Sequence, residues 1–530
     1  MPTSPKRSAK SAFSSHGLRK TVDLLIDEIK EIYLADQIPW IVGYSGGKDS
    51  TAALQLVWLA LSQLEPDKLF KPVHVISTDT LVENPIVATW VTRSLELMRK
   101  STEAAGLPIY PHRLTPTISD TFWVNLIGRG YPAPRPKFRW CTERLKIKPS
   151  NAFINSMVRR YGEAIVVLGT RKAESAVRAR VMKKLEQKRM RERLSPNASL
   201  SNSLVFSPIE DWTNDDVWLF LMQTPNPWGN NNKALLTMYQ GASPDGECPL
   251  VVDTTTPSCG DSRFGCWVCT LVDQDRSMAA MVQNDEEKEW MLPLLELRNA
   301  LDPRAANGMK DDRSLRDFRR MNGTVTLLND RHIPGPYTQA SRENWLRKVL
   351  TVQKWVRENG PKYVHNIELI SLAELHEIRR IWVVDKHEIE DNLPRIYEEV
   401  TTENFPANRL DDHLSFGADE IQLLKEICED DTLHFELVRE LIDIERRYRT
   451  LSKRAGLYEA LEQAFRRNFY DSAEDAADRA RAYRDVSDAL EAEKLSFDPA
   501  YKDGASILSI LSDKASLREL IDQVNHRGDA

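Results

Sequence analysis

A six-residue segment of the chain has the composition of a phosphate-binding loop. Ser45–Ser50 reads Ser-Gly-Gly-Lys-Asp-Ser and follows a short apolar run, Trp40–Tyr44. Glycines let the backbone approach an anion closely, and N–H groups that open a helix offer donors and partial positive charge. The spacing differs from the Gly-x-x-x-x-Gly-Lys-Ser/Thr pattern of Walker A loops. The Ser45 and Ser50 hydroxyls and the Gly46 and Gly47 N–H groups are predicted to bind phosphate oxygens. Lys48 would offset the phosphate charge, and Asp49 could help hold Mg²⁺.

The cysteines form a second chemical signal. Four of the six lie between Cys248 and Cys269, and Cys266 and Cys269 sit in a Gly-Cys-x-x-Cys-Thr turn. Together with Cys259 and Cys141 they could supply four thiolates. Closed zinc sites and [4Fe–4S] clusters both accept such a set, so the spacing leaves both open. Cys248 is interpreted as a spare thiol, a persulfide carrier or a substitute ligand.

Two basic stretches accompany these motifs. Five cations surround Cys141 within Lys137–Pro149, which favours an anion-binding or metal-binding edge and predicts a lowered thiol pKa. Arg171–Arg193 contains ten Lys/Arg and three Glu, in a chain whose formal net charge is −6. A solvated helix face would explain the second stretch, but a segment this basic more plausibly follows a polyanion.

Alternating strands and helices must position these residues. Such an alternation predicts an α/β fold with a doubly wound, mainly parallel sheet. Ligands of such sheets bind at the carboxyl ends of the strands, so Ser45, Asp79, Gly169 and Arg171 should meet at one crevice. Asp79 could contact ribose or a metal, or be an ordinary turn residue. The predicted strands are Trp40–Tyr44, Pro72–Ser77, Ile109–Leu114 and Ala164–Leu168.

The remaining sequence suggests the domain organisation. Residues 1–15 are expected to be a disordered tail, 16–225 the sheet domain, 226–340 a Cys-rich and loop region, and 341–530 a helical domain that docks partners. Residues 225–261 are predicted to be loop, and so are 195–203. No signal peptide or membrane span is recognised, which favours a cytoplasmic protein that does not contact a membrane.

Several motifs in this order resemble the phosphoadenylyl-sulfate reductase and N-type ATP pyrophosphatase superfamily, whose fold is called adenine nucleotide alpha hydrolase-like. Within it, the segment Thr256–Thr270 and the long helical extension resemble the DndC-type DNA phosphorothioation sulfurtransferases. The motifs that carry the superfamily resemblance are Ser45–Ser50, Thr78–Thr80, Arg139–Thr142, Gly169–Ser175 and Pro208–Trp218.

The resemblance implies an enzyme that uses ATP, Mg²⁺ and a [4Fe–4S] cluster to replace a non-bridging oxygen of a DNA backbone phosphate by sulfur. Cys141, Cys266 and Cys269 match the family's cluster ligands. The reductases carry two adjacent cysteines where this chain has only Cys141, so Cys259 is the inferred fourth ligand. The implied partners are DNA, a cysteine desulfurase as sulfur donor, an SMC-like ATPase and a small DNA-binding protein.

The predicted reaction has two steps. A DNA phosphate oxygen attacks the α-phosphorus of ATP, assisted by Lys48, Asp49 and Arg171, and sulfur then displaces AMP. The alternatives are a tRNA or small-molecule thiolase, a sulfonucleotide reductase, and a DNA-bound scaffold regulated by nucleotide. A reductase is disfavoured because the last cysteine, Cys428, is not in a Glu-Cys-Gly context. The candidates for holding the DNA backbone are Arg139, Lys146, Arg171 and Arg178.

Overall fold

The computed structural model describes residues 11–189, 191–243, 264–305, 307–328, 331–406, 418–429, 431–449, 451–482 and 484. Cys248 and Cys259 lie outside the described residues. Their predicted roles as ligands or as a persulfide site therefore stay predictions.

A single six-stranded sheet organises the first part of the chain. Across the sheet the strands run in the order β3-β2-β1-β4-β6-β5, and every neighbouring pair is parallel except β5 with β6. The predicted doubly wound, mainly parallel sheet is confirmed. The chain goes from β1 to β2 on one side, whereas β4 lies on the other, so a crevice forms beyond the ends of β1 and β4. The strands are β1 (Trp40–Gly43), β2 (Val73–Thr78), β3 (Ile109–Leu114), β4 (Ala164–Val167), β5 (Ser195–Pro196) and β6 (Ser203–Phe206).

Six helices accompany this sheet. Side chains of β1 alternate between two cores, since Trp40 and Val42 pack with α1 and α2 while Ile41 packs with Ile154 of α4. Both faces are covered, which explains why the central strands are continuous apolar runs. The helices are α1 (Gly17–Leu34), α2 (Lys48–Leu61), α3 (Pro85–Ala105), α4 (Lys148–Tyr161), α5 (Ala176–Glu186) and α6 (Asn214–Gln223).

The later part of the described chain is mainly helical, with one short hairpin of β7 (Leu327–Leu328) and β8 (Arg331–His332). None of the helices in the described ranges is long and apolar enough to cross a membrane. The helices are α7 (Asn232–Gly241), α8 (Arg276–Asn284), α9 (Leu292–Ala300), α10 (Gln339–Asn359), α11 (Leu372–Arg380), α12 (Asn392–Thr401), α13 (Ala418–Ile427), α14 (Thr432–Arg449) and α15 (Leu457–Asn468).

The segment between β3 and α4, which carries Cys141, packs against this helical part. Phe122, Trp123 and Trp140 share one core with residues of α8 to α12. The Trp123 indole donates a hydrogen bond to the Leu369 carbonyl at 2.7 Å, and the Trp382 indole donates to the Ile127 carbonyl at 3.0 Å. The helical part therefore fixes the Cys141 segment.

Three sequence predictions need correction. Residues 225–261 are not all loop, because α7 lies within them and buries Leu235 and Tyr239. Residues 195–203 contain the edge strand β5 and the first residue of β6. Finally, residues 11–15 differ from the expected disordered tail, since Phe13 is buried against Trp212 and Ser11 bonds Asp216 at 2.5 Å.

The sheet also contains a pair of neutral histidines. The ring nitrogens of His74 on β2 and His112 on β3 lie 3.0 Å apart, and the Phe153 ring packs against both imidazoles. Burial, followed by the charges of His112 and Arg160, lowers the pKa of His74 to about 4. Protonation therefore favours the unfolded chain as the pH falls below the ordinary histidine pKa.

This pair predicts a specific pH dependence of stability. Between about pH 6.5 and 4 the protein should lose about 1–2 kcal/mol of stability through His74, after allowance for solvent screening of this half-buried group. His74→Phe should remove that part of the loss, as measured by urea unfolding across this window. His16→Phe, at the exposed start of α1, should keep the wild-type dependence. An identical pH dependence in the two variants would contradict this assignment.

Candidate nucleotide and thiol site

The segment Ser45–Ser50 forms the turn from β1 into α2. Gly47 is the N-cap residue of α2, and Gly46 has φ +74°, which favours glycine. A Cβ on Gly46 would lie 2.5 Å from Val91 of α3. The Trp90 indole donates a hydrogen bond to the Gly46 carbonyl at 3.2 Å. Contacts with helix α3 therefore fix the backbone conformation of the loop.

The two serines close the loop upon itself. The Ser50 hydroxyl donates to the Gly47 carbonyl at 3.0 Å and accepts from the Ser45 N–H at 3.2 Å. The two hydroxyl oxygens lie 3.1 Å apart. Both predicted phosphate-contacting hydroxyls thus stand together at the start of α2.

Asp49 is joined to Arg171 across the crevice. The Arg171 Nε donates to the Asp49 carboxylate at 2.7 Å, and Lys48 Nζ lies 3.2 Å from its other oxygen. Arg171 is buried and also donates to the Trp212 carbonyl at 3.3 Å. These contacts use two of the five N–H donors of the guanidinium. The structure therefore brings the three predicted catalytic residues together.

Gly169 permits this approach. A Cβ at this position would lie 2.5 Å from the Asp49 carbonyl oxygen and 2.8 Å from the Ser50 nitrogen. Both are backbone atoms, so a larger residue would push the end of β4 away from the start of α2. The glycine predicted to bind nucleotide is thus required for the contact between the two strand ends.

Tyr239 of α7 links the phosphate loop to the cysteine turn. Its hydroxyl accepts a hydrogen bond from the Lys48 N–H at 3.4 Å, and its ring meets Phe264 edge-on at 4.7 Å between centroids. Burial, and then the charge of Asp49, raises the pKa of Tyr239 above its ordinary value. The phenol therefore stays protonated beside the loop. Phe264 lies two residues before Cys266.

Asp79 occupies a turn. One carboxylate oxygen accepts from the Leu81 N–H at 2.8 Å, and the other accepts from Arg113 Nε at 3.0 Å. These contacts account for its position at the end of β2. Its proposed contact with ribose or metal stays a prediction.

Three described thiols lie in one region. Cys266 and Cys269 are joined by a turn in which the Cys269 N–H donates to the Cys266 carbonyl at 3.0 Å. Cys141, Cys266 and Cys269 are all free and partly buried. Cys141 and Cys266 both pack against the core that contains Trp140 and Trp267, and the charge of Cys269 is among the causes that raise the pKa of both thiols. The described residues contain no group of three ligand side chains placed to hold one metal ion.

The loop after β2 contacts Cys266. The Thr80 hydroxyl lies 3.3 Å from the Cys266 sulfur, and the Glu83 backbone pairs with that of Cys266. Burial, followed by the Glu83 charge, raises the pKa of Cys266 to about 12. The Lys146 ammonium lies 3.3 Å from Glu83. Burial lowers the pKa of Lys146, but Cys266 and Glu83 outweigh it, so the pKa stands above its ordinary value.

The predicted low pKa of Cys141 is wrong for the metal-free thiol. Burial raises the pKa of Cys141 and outweighs the hydrogen bonds from Thr142 that lower it. Arg144 and Lys148 share one carboxylate, Asp120, at 2.6 and 3.0 Å. This pairing offsets part of their positive charge.

The four predicted DNA contacts are differently placed. Arg139 is exposed, whereas Arg171 is buried in its pair with Asp49. Arg178 pairs with Glu174, and Lys146 pairs with Glu83. Only Arg171 lies at the phosphate loop, and the DNA role of all four stays a prediction.

Part of the chain matches a known protein family. Residues 39–228 match the family model of the phosphoadenosine phosphosulfate reductase domain. This match includes the phosphate loop, Cys141 and Arg171, and it ends before the cysteine turn. The resemblance to this superfamily is confirmed for this part of the chain, and the narrower resemblance to the DNA-modifying enzymes stays a prediction.

One curated relative is the uncharacterized protein MJ0066 of Methanocaldococcus jannaschii. It is 26% identical over 200 residues, which cover 38% of this chain and 35% of that protein. The chain thus spans about a third of the length of this relative.

Three solved structures are also similar. Phosphoadenylyl-sulfate reductase of Candida auris is 14% identical, with TM-score 0.24, covering 39% of this chain and 89% of that one. FMN adenylyltransferase of Candida glabrata is 13% identical, with TM-score 0.24 and coverages of 45% and 66%. The U34-tRNA thiolase NcsA of Methanococcus maripaludis, with its [4Fe-4S] cluster, is 16% identical, with TM-score 0.22 and coverages of 40% and 71%. TM-scores this low support no conclusion about this chain.

Sequence reasoning missed Tyr239, Phe264 and Glu83. Tyr239 lies in a segment whose Pro, Asn and Gly content predicts loop, although Asn231 caps a helix there. A capping asparagine followed by apolar residues at helical spacing was the available signal. Nothing local in the sequence identifies Phe264 or Glu83, because their contacts come from distant segments.

Gly169→Ala should damage the site. The added methyl group must displace backbone at the start of α2, which we expect to cost about 1–3 kcal/mol of stability and most of the ATP affinity. Thermal unfolding and calorimetric ATP titration would measure both. Gly241→Ala is the matched control, since its nearest neighbour is Lys288 Nζ at 3.9 Å. Wild-type ATP affinity in Gly169→Ala would contradict the role of this close contact.

Proposed function

We propose that this protein is an ATP-dependent sulfurtransferase that adenylates a DNA backbone phosphate and replaces one of its non-bridging oxygens by sulfur. The observation that carries the proposal is the chain of contacts from the phosphate loop through Tyr239 and Phe264 to the Cys266 turn. These contacts support a role of the loop in phosphate binding close to the cysteine turn. That combination supports activation by a nucleotide followed by transfer of sulfur.

The loop and its partners account for the first step. The N-terminus of α2, the Ser45 and Ser50 hydroxyls and Lys48 would bind the phosphates of ATP. The Arg171 N–H donors that are not bonded to Asp49 or Trp212 would stabilise the charge that develops as a DNA phosphate oxygen attacks the α-phosphorus and pyrophosphate leaves. A phosphodiester oxygen is a poor leaving group until it carries AMP.

Asp49 acts here as a positioning residue. Its carboxylate is already paired with Arg171 at 2.7 Å and Lys48 at 3.2 Å. This does not fit the predicted Mg²⁺ ligand, since a cation would have to displace one of two positive groups. Asp49 is therefore not assigned as a Mg²⁺ ligand in the proposed reaction.

The three described cysteines supply the kind of donor that a [4Fe–4S] cluster requires, although no three described ligand side chains are placed to hold a single metal ion. Cys141, Cys266 and Cys269 would hold the cluster, with Cys259 as the predicted fourth ligand. When bound, such a cluster supplies an iron site for sulfur or electrons. Thr80 and Glu83 would fix Cys266, while Lys146 would balance the negative charge of the thiolates.

The second step needs sulfur at the oxidation level of sulfide. A hydrosulfide supplied by a desulfurase and a reductant would attack the adenylated DNA phosphorus. The new P–S bond forms as the P–O bond to AMP breaks, and AMP carries away that oxygen. Arg171 and Lys48 would stay with the leaving phosphate.

A tRNA thiolase is the second candidate. The same adenylation and the same thiols would serve a tRNA acceptor, and the exposed cations of α5 suit the backbone of either polynucleotide. The acceptor therefore decides between the two, and product analysis identifies it.

Arg171→Lys should abolish sulfur insertion into DNA. Lysine is a point charge that cannot keep the Asp49 and Trp212 contacts while donating to phosphate. We expect phosphorothioate formation to fall by about 10²-fold or more, measured by mass spectrometry of nuclease-digested DNA after incubation with ATP and sulfur donor. The matched control is Arg191→Lys, which alters another Arg–Asp pair, with Asp36 at 2.5 Å.

The products separate the alternatives. Phosphorothioate linkages that depend on Arg171 support the proposal. Thionucleosides in tRNA would replace it by the second candidate, and sulfite would indicate a reductase. Sulfur insertion undiminished in Arg171→Lys would contradict the proposed site.

A further inference from the structure

Most cations of the basic stretch Arg171–Arg193 are used inside the fold. Six of the ten form ion pairs with acidic side chains. The carboxylates involved come from α1, α2, the turn before α5, α5 itself, and the loops that precede β1 and α6. The paired cations are Arg171, Lys172, Arg178, Arg189, Arg191 and Arg193. All but Arg178, which pairs with Glu174 inside the stretch, attach it to carboxylates elsewhere in the sheet domain.

The other four cations form no ion pair with the described acidic residues. Arg180, Lys183 and Lys184 lie on α5, and Lys188 lies in the turn that follows it. All four are exposed. Positions i, i+3 and i+4 share one face of a helix, so Arg180, Lys183 and Lys184 form a continuous positive surface, called here the α5 cationic face.

The fold does not use this face. No residue of α5 is buried, and the helix is held at its ends. Ser175 caps it through the Arg178 N–H at 3.1 Å, and Lys172 pairs with Glu186 at 2.5 Å. A helix that buries no residue contributes little core. Its outward charges are therefore available to a partner.

The position of the helix favours one kind of partner. It begins five residues after Arg171, which contacts the phosphate loop through Asp49. The formal net charge of the chain is −6, so the protein as a whole does not attract anions. A local positive face next to the site therefore favours a polyanion as the partner.

We propose that the α5 cationic face binds the phosphate backbone of the polynucleotide that is modified at the adjacent site. This inference rests on the proposed function and names where its substrate binds. Cations at helical spacing neutralise phosphates without reading bases. They would position a backbone phosphate near Arg171 irrespective of sequence.

The test compares two charge-neutralising variants of the full-length protein. One carries Arg180→Gln, Lys183→Gln and Lys184→Gln. The matched control carries Arg93→Gln, Arg99→Gln and Lys100→Gln, which removes three exposed cations from α3. Fluorescence anisotropy measures binding to short duplex DNA, to tRNA and to phosphatidylserine vesicles over a range of salt concentrations.

The α5 variant should bind polynucleotide at least about tenfold more weakly at low salt. The slope of log affinity against log salt concentration should become smaller by up to about 2.7, which is about 0.9 for each phosphate that the variant no longer neutralises. The α3 control should bind as wild type. Weakening confined to tRNA would keep this inference and refute DNA as the acceptor. Wild-type binding of both polynucleotides by the α5 variant, or weakening confined to vesicles, would overturn the inference.

Discussion

The ion pair between Asp49 and Arg171 joins the ends of the two strands on which the site depends. Asp49 lies in the first turn of α2, after β1, and Arg171 lies just after β4. Their side chains meet at 2.7 Å because Gly169 allows the two backbones to approach. In this largely buried pair, loss of one partner leaves an uncompensated charge, which is costly. The pair therefore orients both the helix N-terminus and the cation that faces it.

The position of the thiols depends on two different parts of the fold. Cys141 comes from a segment packed against the helical part, whereas Cys266 is attached to the loop after β2 through Thr80 and Glu83. Burial raises the pKa of both thiols, so nearby cations alone do not make them thiolates. A bound metal would change that balance by stabilising the anionic sulfur directly. The helical part thus contributes to the site by fixing one of its walls.

Sequence reasoning predicted what is encoded locally. The apolar runs of β1 and β4 and the glycines after them identify the crevice, and the order of charged residues identifies Arg171. It missed β6, whose run Ser203–Phe206 is short, and α7, whose composition resembles loop. It also could not tell which cations of Arg171–Arg193 are neutralised, because their partners include Glu28, Asp36 and Glu210. Those pairings exist only once the sheet has formed.

We infer that the loop Ser45–Ser50 directs chemistry to the α-phosphorus of ATP. Pyrophosphate exchange tests it most directly: the protein is incubated with ATP, duplex DNA and radiolabelled pyrophosphate, without sulfur donor. We expect label to enter ATP in a DNA-dependent manner, since adenylation of the DNA phosphate is reversible until sulfur arrives. Absence of label in ATP, with accumulation of ADP and inorganic phosphate, would contradict it.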